Sequence, residues 1–327
     1  MSSIANKLVQ EGRRLESQGA LVEALALYDH ARLELERTAD ASGSEVSVVC
    51  MNRGSALARL GSSHLPAALA AYDEAIALKR ENRDRTKAEH DISLAAALMN
   101  RGSLLHRAYG IQHAAATVAA FNEAEALLKA LRSTSEDVWV RRNLAGTLLN
   151  RASFEMDLRD YGKAYETAQE SVALVSGSER QHVIDAEISL KARRLVCDAL
   201  GHLFVTPNAD QETLAHTASD AVDEAMLLAR HWMSAGVQEF RPLAQRLFRF
   251  GAQLYRLHQP HFLAEFLQDN FSEISRDAEF RAIAQESIVA ALADFSRPQI
   301  LTVGDPASER CVTSTHALRH LLSRLPS

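Results

Sequence analysis

The sequence predicts an all-α chain of stacked antiparallel helix pairs. Three observations carry that prediction. Small and aromatic residues return at steps of 3 and 4, which places them on one helical face. An Asn-Arg-small-Ser tetrad is written three times at near-equal intervals. And the 327 residues include only 14 Gly and 7 Pro, against abundant Ala, Leu, Glu and Arg, with no convincing strand. An apolar fraction of 47% is ample for a core, or for several stacked ones.

The elements follow in order. The first copy sets the frame with Gly12, Leu15, Gly19, Ala24, Tyr28 and Ala31, so that Gly12, Ala24, Tyr28 and Ala31 are separated by 12, 4 and 3 residues. The second runs from Gly54 to Ala68, Tyr72 and Ala75, and the third from Gly102 to Thr117, Phe121 and Ala124. Both keep the last two steps and lengthen the turn. A fourth restores the original frame as Ala152, Ala164, Ala168 and Ser171, with Ala168 where the others carry an aromatic. A fifth takes "ISLKARRLVCDALG" as first helix and Ala218, Val222 and Ala225 on the second, joined through the turn-rich "FVTPNADQET". A sixth, around Gly251 and Leu254, replaces alanines with bulkier residues. Residues 278–295 read as a helix closing the stack. Beyond them, "SRPQILTVGDPASERCVTSTH" has no periodicity and reads as a loop, followed by a short helix in "ALRHLLSRL". The expected organisation is four hairpins over 1–176, degenerate hairpins and a capping helix over 177–296, and a tail over 297–327.

Small residues let two helices approach closely, and an aromatic fills the space beside them. A hairpin of this kind cannot bury its apolar face alone and must stack on neighbours. The pattern resembles the tetratricopeptide repeat, most specifically in the spacing of the first and fourth copies. The copies are 42, 48 and 50 residues apart, longer than the family's usual period of about 34. The resemblance covers roughly 3–275 and is firm to about 175. It implies a right-handed superhelical solenoid whose first helices line a concave groove, and a non-catalytic protein-interaction module without cofactors.

The tetrads are "MNRGS" at 51–55, "MNRGS" at 99–103 and "LNRAS" at 149–153. Asn52, Asn100 and Asn150 each sit two residues before the small packing residue. In the family that position points into the groove, where an asparagine ladder holds an extended peptide by its main chain. A carboxamide both donates and accepts, as a peptide unit does. The resemblance therefore implies that these three asparagines are rungs, with Arg53, Arg101, Arg151 and Arg249 as further groove contacts. The alternative is structural: each Asn bonds a neighbouring helix, and each Arg pairs with an acid on one. The ladder is short, since the equivalent place holds Gln10 in the first copy, Ala192 in the fifth and Arg249 in the sixth. The lysines that a chaperone-tail site needs are replaced by Val9, Arg13 and Ala96. An internal segment or a helix of a partner protein is expected rather than a C-terminal carboxylate.

Other chemistries find little support. The net charge of −6, with both signs interspersed, offers no field for nucleic acid or an anionic membrane. No stretch approaches the length of a membrane span or signal peptide. Cys50, Cys197 and Cys311 have neither metal-ligand nor disulfide spacing, which suits the cytoplasm. His106, His113, His258 and His261 form no metal-binding pair with a nearby acid. No Gly-rich loop follows a strand, so nucleotide binding is not expected. Phe248, Phe250 and Tyr255, interleaved with Arg249 and Arg256, could stack on RNA bases but read as core, as do Trp139 and Trp232, for which groove anchoring is the alternative. Two other functions remain open: a sensor that closes around a short peptide, and an enzyme with its site in 178–327.

Overall fold

A computed structural model describes residues 3–38, 42–82, 87–204, 206, 210–258, 260, 262–295 and 306–325. These are helical nearly throughout, with no strand among the described residues. The chain divides into two compact units, Met1–Arg159 and Asp160–Ser327. The division falls inside the hairpin that the spacing assigns to the fourth copy.

The first unit contains α1 (Ser3–Ser17), α2 (Leu21–Glu36), α3 (Gly43–Leu60), α4 (Leu65–Glu81), α5 (Ala88–Tyr109), α6 (Ala114–Arg132) and α7 (Val138–Asp157). Helices α1 and α2, α3 and α4, and α5 and α6 form the hairpins. Each hairpin packs on the next through α2 against α3, α4 against α5 and α6 against α7.

The spacing frame is the packing frame. Ala24, Tyr28, Ala31, Ala68, Tyr72, Ala75, Thr117, Phe121 and Ala124 are all buried. A methyl group added at Gly12 would lie 2.5 Å from Tyr28 Cε1, at Gly54 2.9 Å from Tyr72 Cε1, and at Gly102 2.8 Å from Phe121 Cε1. Each aromatic ring therefore rests on bare backbone of its partner helix. Helix ends follow local rules. Ser42 and Glu45 form a reciprocal capping box at the start of α3. Gly110 ends α5 at φ +56°, where a side chain would be strained.

Ion pairs join second helices. Arg32 on α2 makes two hydrogen bonds to Glu74 on α4, at 2.8 and 2.6 Å, and holds that carboxyl below its usual range. Arg80 on α4 reaches Glu123 on α6 at 2.6 Å. Beside them, burial pushes the Cys50 thiol up to about 11, so it behaves as a small hydrophobe.

The second unit contains α8 (Tyr161–Val175), α9 (Val183–Leu203), α10 (Gln211–Ser234), α11 (Arg241–His258), α12 (Leu263–Asp269), α13 (Phe271–Arg276), α14 (Ala278–Phe295) and α15 (Pro306–Arg324). Ala218, Val222 and Ala225 are buried as their spacing requires. The glycine–aromatic contact returns, since a methyl group at Gly251 would lie 2.6 Å from Phe266 Cζ. Two features depart from expectation. The second helix of the sixth hairpin is split into α12 and α13 at Asn270, whose carboxamide donates to the Phe266 carbonyl oxygen at 2.8 Å. And the terminal helix starts at Pro306, so residues 306–316, read from sequence as loop, are helical. Proline suits a first helical turn, where its missing N–H has no partner to lose. Leu318 and Leu321 then enter the core of this unit, which explains why the helix persists. The expected loop over 296–305 lies outside the described residues.

Lys79 on α4 is buried, 8% exposed, and donates to Ser93 Oγ on α5. Burial lowers its pKa from the ordinary 10.5 to about 8. The unfolded chain holds this proton to about 10.5, while the folded chain releases it near 8. The lysine's contribution to stability therefore rises with pH across that window, by up to about 1.4 kcal/mol per unit. Urea unfolding of wild type and Lys79→Met at pH 7.5 and 9 checks this. The advantage of the methionine variant should shrink at the higher pH.

Candidate functional site

The tetrads occupy equivalent places on α3, α5 and α7, each of which packs on the second helix of the hairpin before it. Their four positions point in different directions because each residue advances about 100° around the helix. On α3 and α5 the glycine faces the second helix of its hairpin, and on all three helices the arginine one step earlier faces the preceding hairpin. The asparagine, about 200° from the glycine, lies on the side away from its own second helix.

The arginines make one contact three times. Arg53 Nε donates to Asp29 on α2 at 2.7 Å, Arg101 Nε to Asp73 on α4 at 2.5 Å, and Arg151 bonds Glu125 on α6. Arg151 Nε also reaches Glu155 at 2.9 Å. Each pair ties a first helix to the second helix before it, the arrangement foreseen in the structural alternative.

The asparagines are not equivalent. Asn52 accepts from Arg13 Nε at 3.1 Å and donates to the Val48 carbonyl oxygen at 2.8 Å, so both ends of its carboxamide are occupied. Asn100 and Asn150 are half-buried, and among the described residues neither carboxamide makes a hydrogen bond. Arg13 belongs to the first copy, where it follows Gly12. In the copies that precede Asn100 and Asn150 the corresponding residues, after Gly54 and Gly102, are Ser55 and Ser103, too short to reach across in the same way.

Other candidates fall elsewhere. Gln10 is exposed, Ala192 is buried, and Arg249 pairs with Glu279 at 2.6 Å in the second unit. Of the positions compared with chaperone-tail lysines, Val9 is buried and Ala96 half-buried. His106 pairs with Asp157 at 2.6 Å, His113 rests on Tyr109, and His258 stacks on Phe204. His261 lies outside the described residues. No group of three metal-binding side chains occurs among the described residues. Phe248 and Tyr255 are buried and Phe250 packs against the same core. Trp232 is half-buried, its indole donating to the Glu179 carbonyl oxygen at 2.8 Å.

Trp139 is a correction to its core assignment. It is 65% exposed at the start of α7, held there by Asp137, which accepts from its backbone N–H at 2.7 Å. Steps of 4, 3 and 4 put Trp139, Asn143, Gly146 and Asn150 on one face of that helix. An aromatic in the first helical turn can face either way, and sequence spacing alone did not distinguish them.

No known protein family matches the chain, and no curated protein matches it. Similar solved structures include a tetratricopeptide repeat protein from Parabacteroides merdae, 13% identical, covering 96% of this chain and 100% of that one at a TM-score of 0.42. They also include the nuclear import adaptor Nro1 of S. pombe, 14% identical, covering 95% of this chain and 96% of that one at a TM-score of 0.41. No helix among the described residues is long and apolar enough to cross a membrane.

The exposures of the arginine pairs order their energetics. Arg53 and Arg101 are 31% and 25% exposed and their acids 49%, whereas Arg151 is 19% exposed and Glu125 and Glu155 are 14% and 5%. Arg53→Ala and Arg101→Ala should each cost under about 1 kcal/mol. Arg151→Ala, which removes one partner from the half-buried Glu125 and one from the buried Glu155, should cost more, about 1–3 kcal/mol. Denaturant unfolding of the three variants measures the difference, and equal costs would contradict this ordering.

Proposed function

We propose that the chain is a non-catalytic, cytoplasmic scaffold that holds an extended segment of a partner protein against the tetrad face of α3, α5 and α7. One observation carries the reading: Asn100 and Asn150 repeat on successive first helices with carboxamides that no hydrogen bond within the described chain employs. Each can accept from one peptide N–H of a bound strand and donate to one carbonyl. Packed helices lie about 8–10 Å apart and an extended chain advances about 3.3 Å per residue. Successive rungs would therefore meet the strand about every third residue. Main-chain contacts of this type give affinity with little sequence preference. Trp139, exposed on the face that carries Asn150, supplies an apolar anchor at one end. The arginines act through position, since their acids hold successive first helices in register, and Asn52 serves as a rung only where Arg13 lets go.

The test compares partner capture and titration for the wild type and three alanine variants. Asn100→Ala and Asn150→Ala should each weaken binding by about 0.5–1.5 kcal/mol while leaving the melting temperature nearly unchanged. Asn52→Ala should weaken binding less and lower the melting temperature, because it removes the contact to Arg13. Variants at 100 and 150 that melt early and bind normally once folded would reverse this assignment.

A further inference from the structure

The second unit contains a cavity of about 800 Å³ between α8, α9 and α10, far from the tetrads in sequence and wholly within its own unit. This lies within the usual range for ligand pockets, about 300–1,000 Å³. Its apolar wall is formed by Val172, Val196, Leu227 and Leu228, and Leu227 is 46% exposed. The remainder is charged. Glu179, Asp220 and Glu224 face Arg180 and Arg193, leaving the lining one negative charge in excess.

One group in the wall is unsatisfied. Glu179 is 8% exposed, and its Oε2 is buried without any hydrogen-bond partner among the described residues. Its other oxygen receives only a long contact of 3.4 Å from Arg193. Arg193 is committed elsewhere, bonding Glu224 and reaching Ser189 Oγ at 3.2 Å. The segment that presents Glu179 is anchored from three sides. Trp232 Nε1 donates to its carbonyl oxygen at 2.8 Å, His231 Nε2 lies 3.2 Å from that of Arg180, and Ser178 Oγ donates to Asp185 at 2.5 Å. A buried carboxylate oxygen held this firmly without a protein donor is a costly arrangement. Glu179 lines the cavity, and the soft terminal torsion of a glutamate lets its carboxylate turn to present an oxygen to a bound group.

We propose that this cavity binds an arginine side chain of a partner peptide, its guanidinium paired with Glu179 and its flanking apolar residue laid on Leu227 and Val172. Arginine fits better than lysine because its planar fork offers several donors to the carboxylates of Glu179 and Asp220 together. A small cation fits less well, since it would leave the wall at Leu227 uncovered. The site differs from the tetrad face in helices and in chemistry: it reads a side chain, where the asparagines would read a main chain.

The experiment titrates the full-length protein with a fluorescein-labelled peptide of alternating leucine and arginine, followed by anisotropy. The same peptide with citrulline in place of arginine removes the charge at nearly constant shape. Wild type should bind the arginine peptide at least tenfold more tightly than the citrulline peptide. Glu179→Gln should abolish that preference, and Leu227→Ser, a change at an exposed position, should weaken binding at least fivefold. Glu179→Gln retains an acceptor for Arg193, and circular dichroism melts confirm that both variants fold. Asn100→Ala should leave this binding unchanged, which separates failure here from failure of the tetrad reading. Equal binding of the two peptides, or full binding by Glu179→Gln, would overturn the proposal and assign the orphaned oxygen to a trapped water. Displacement of the peptide by n-butylguanidinium at equal concentration would also overturn it, in favour of a small-molecule site.

Discussion

The close contact between a bare backbone and an aromatic ring organises this molecule. Tyr28 lies on Gly12, Tyr72 on Gly54, Phe121 on Gly102 and Phe266 on Gly251, each at a distance that leaves no room for a methyl group. A buried ring contributes much of a hairpin's apolar area, and here it also fixes the rotation of the first helix about its axis. Once the glycine faces the ring, the residues one and two places before it have their directions set. The arginine must meet the preceding second helix, and the asparagine must face away from its own. The tetrad is thus one packing residue with its neighbours pointed by helical geometry. In the fourth copy the sequence changes both positions, to Ala152 and Ala168.

Stacking is then held in register by charge. In the first unit one row of pairs joins each first helix to the second helix before it, through Arg53, Arg101 and Arg151, and another joins second helices, through Arg32 and Arg80. In the second unit α11 uses the same device toward α14 and the residue preceding it, with Arg241 on Asp277, Arg249 on Glu279 and Arg256 on Asp294. Apart from the more buried pairs of Arg151, such exposed pairs contribute little stability individually. Their value is selectivity among registers, because a slip by one helical position would separate every pair in a row. A further node locks the first hairpin to α3: Glu16 accepts from the Tyr28 hydroxyl at 2.9 Å and from Ser55 Oγ at 2.6 Å. The raised pKa of Tyr28, from burial and this bond to Glu16, keeps its proton in place.

The hairpins were legible in the sequence because their signal is local: steps of 3 and 4 report one helical face without knowledge of the partner. The arginine partners were not, since Asp29, Asp73 and Glu125 lie on the preceding helix, 24, 28 and 26 residues away, and nothing in their own neighbourhood marks them. The difference between Asn52 and the other two asparagines depends on Arg13, a residue of another repeat. The start of α15 at Pro306 was missed because residues 306–316 carry no apolar period, and the helix is sustained by Leu318 and Leu321 further along. The orphaned oxygen of Glu179 depends on Trp232 and His231 holding a connecting segment in place, which spacing cannot reveal.

The glycine–aromatic constraint is tested most directly at Gly102 by a change of sign. Alanine is a better helix former than glycine by about 1 kcal/mol, so on propensity alone Gly102→Ala should stabilise the protein. Against the buried ring of Phe121 the added methyl must instead overpack the contact, at a cost of about 1–3 kcal/mol. Denaturant unfolding of Gly102→Ala, Phe121→Ala and the double variant separates the two effects. The account predicts that Gly102→Ala destabilises the wild type and stabilises the Phe121→Ala background. Stabilisation in both backgrounds would contradict it.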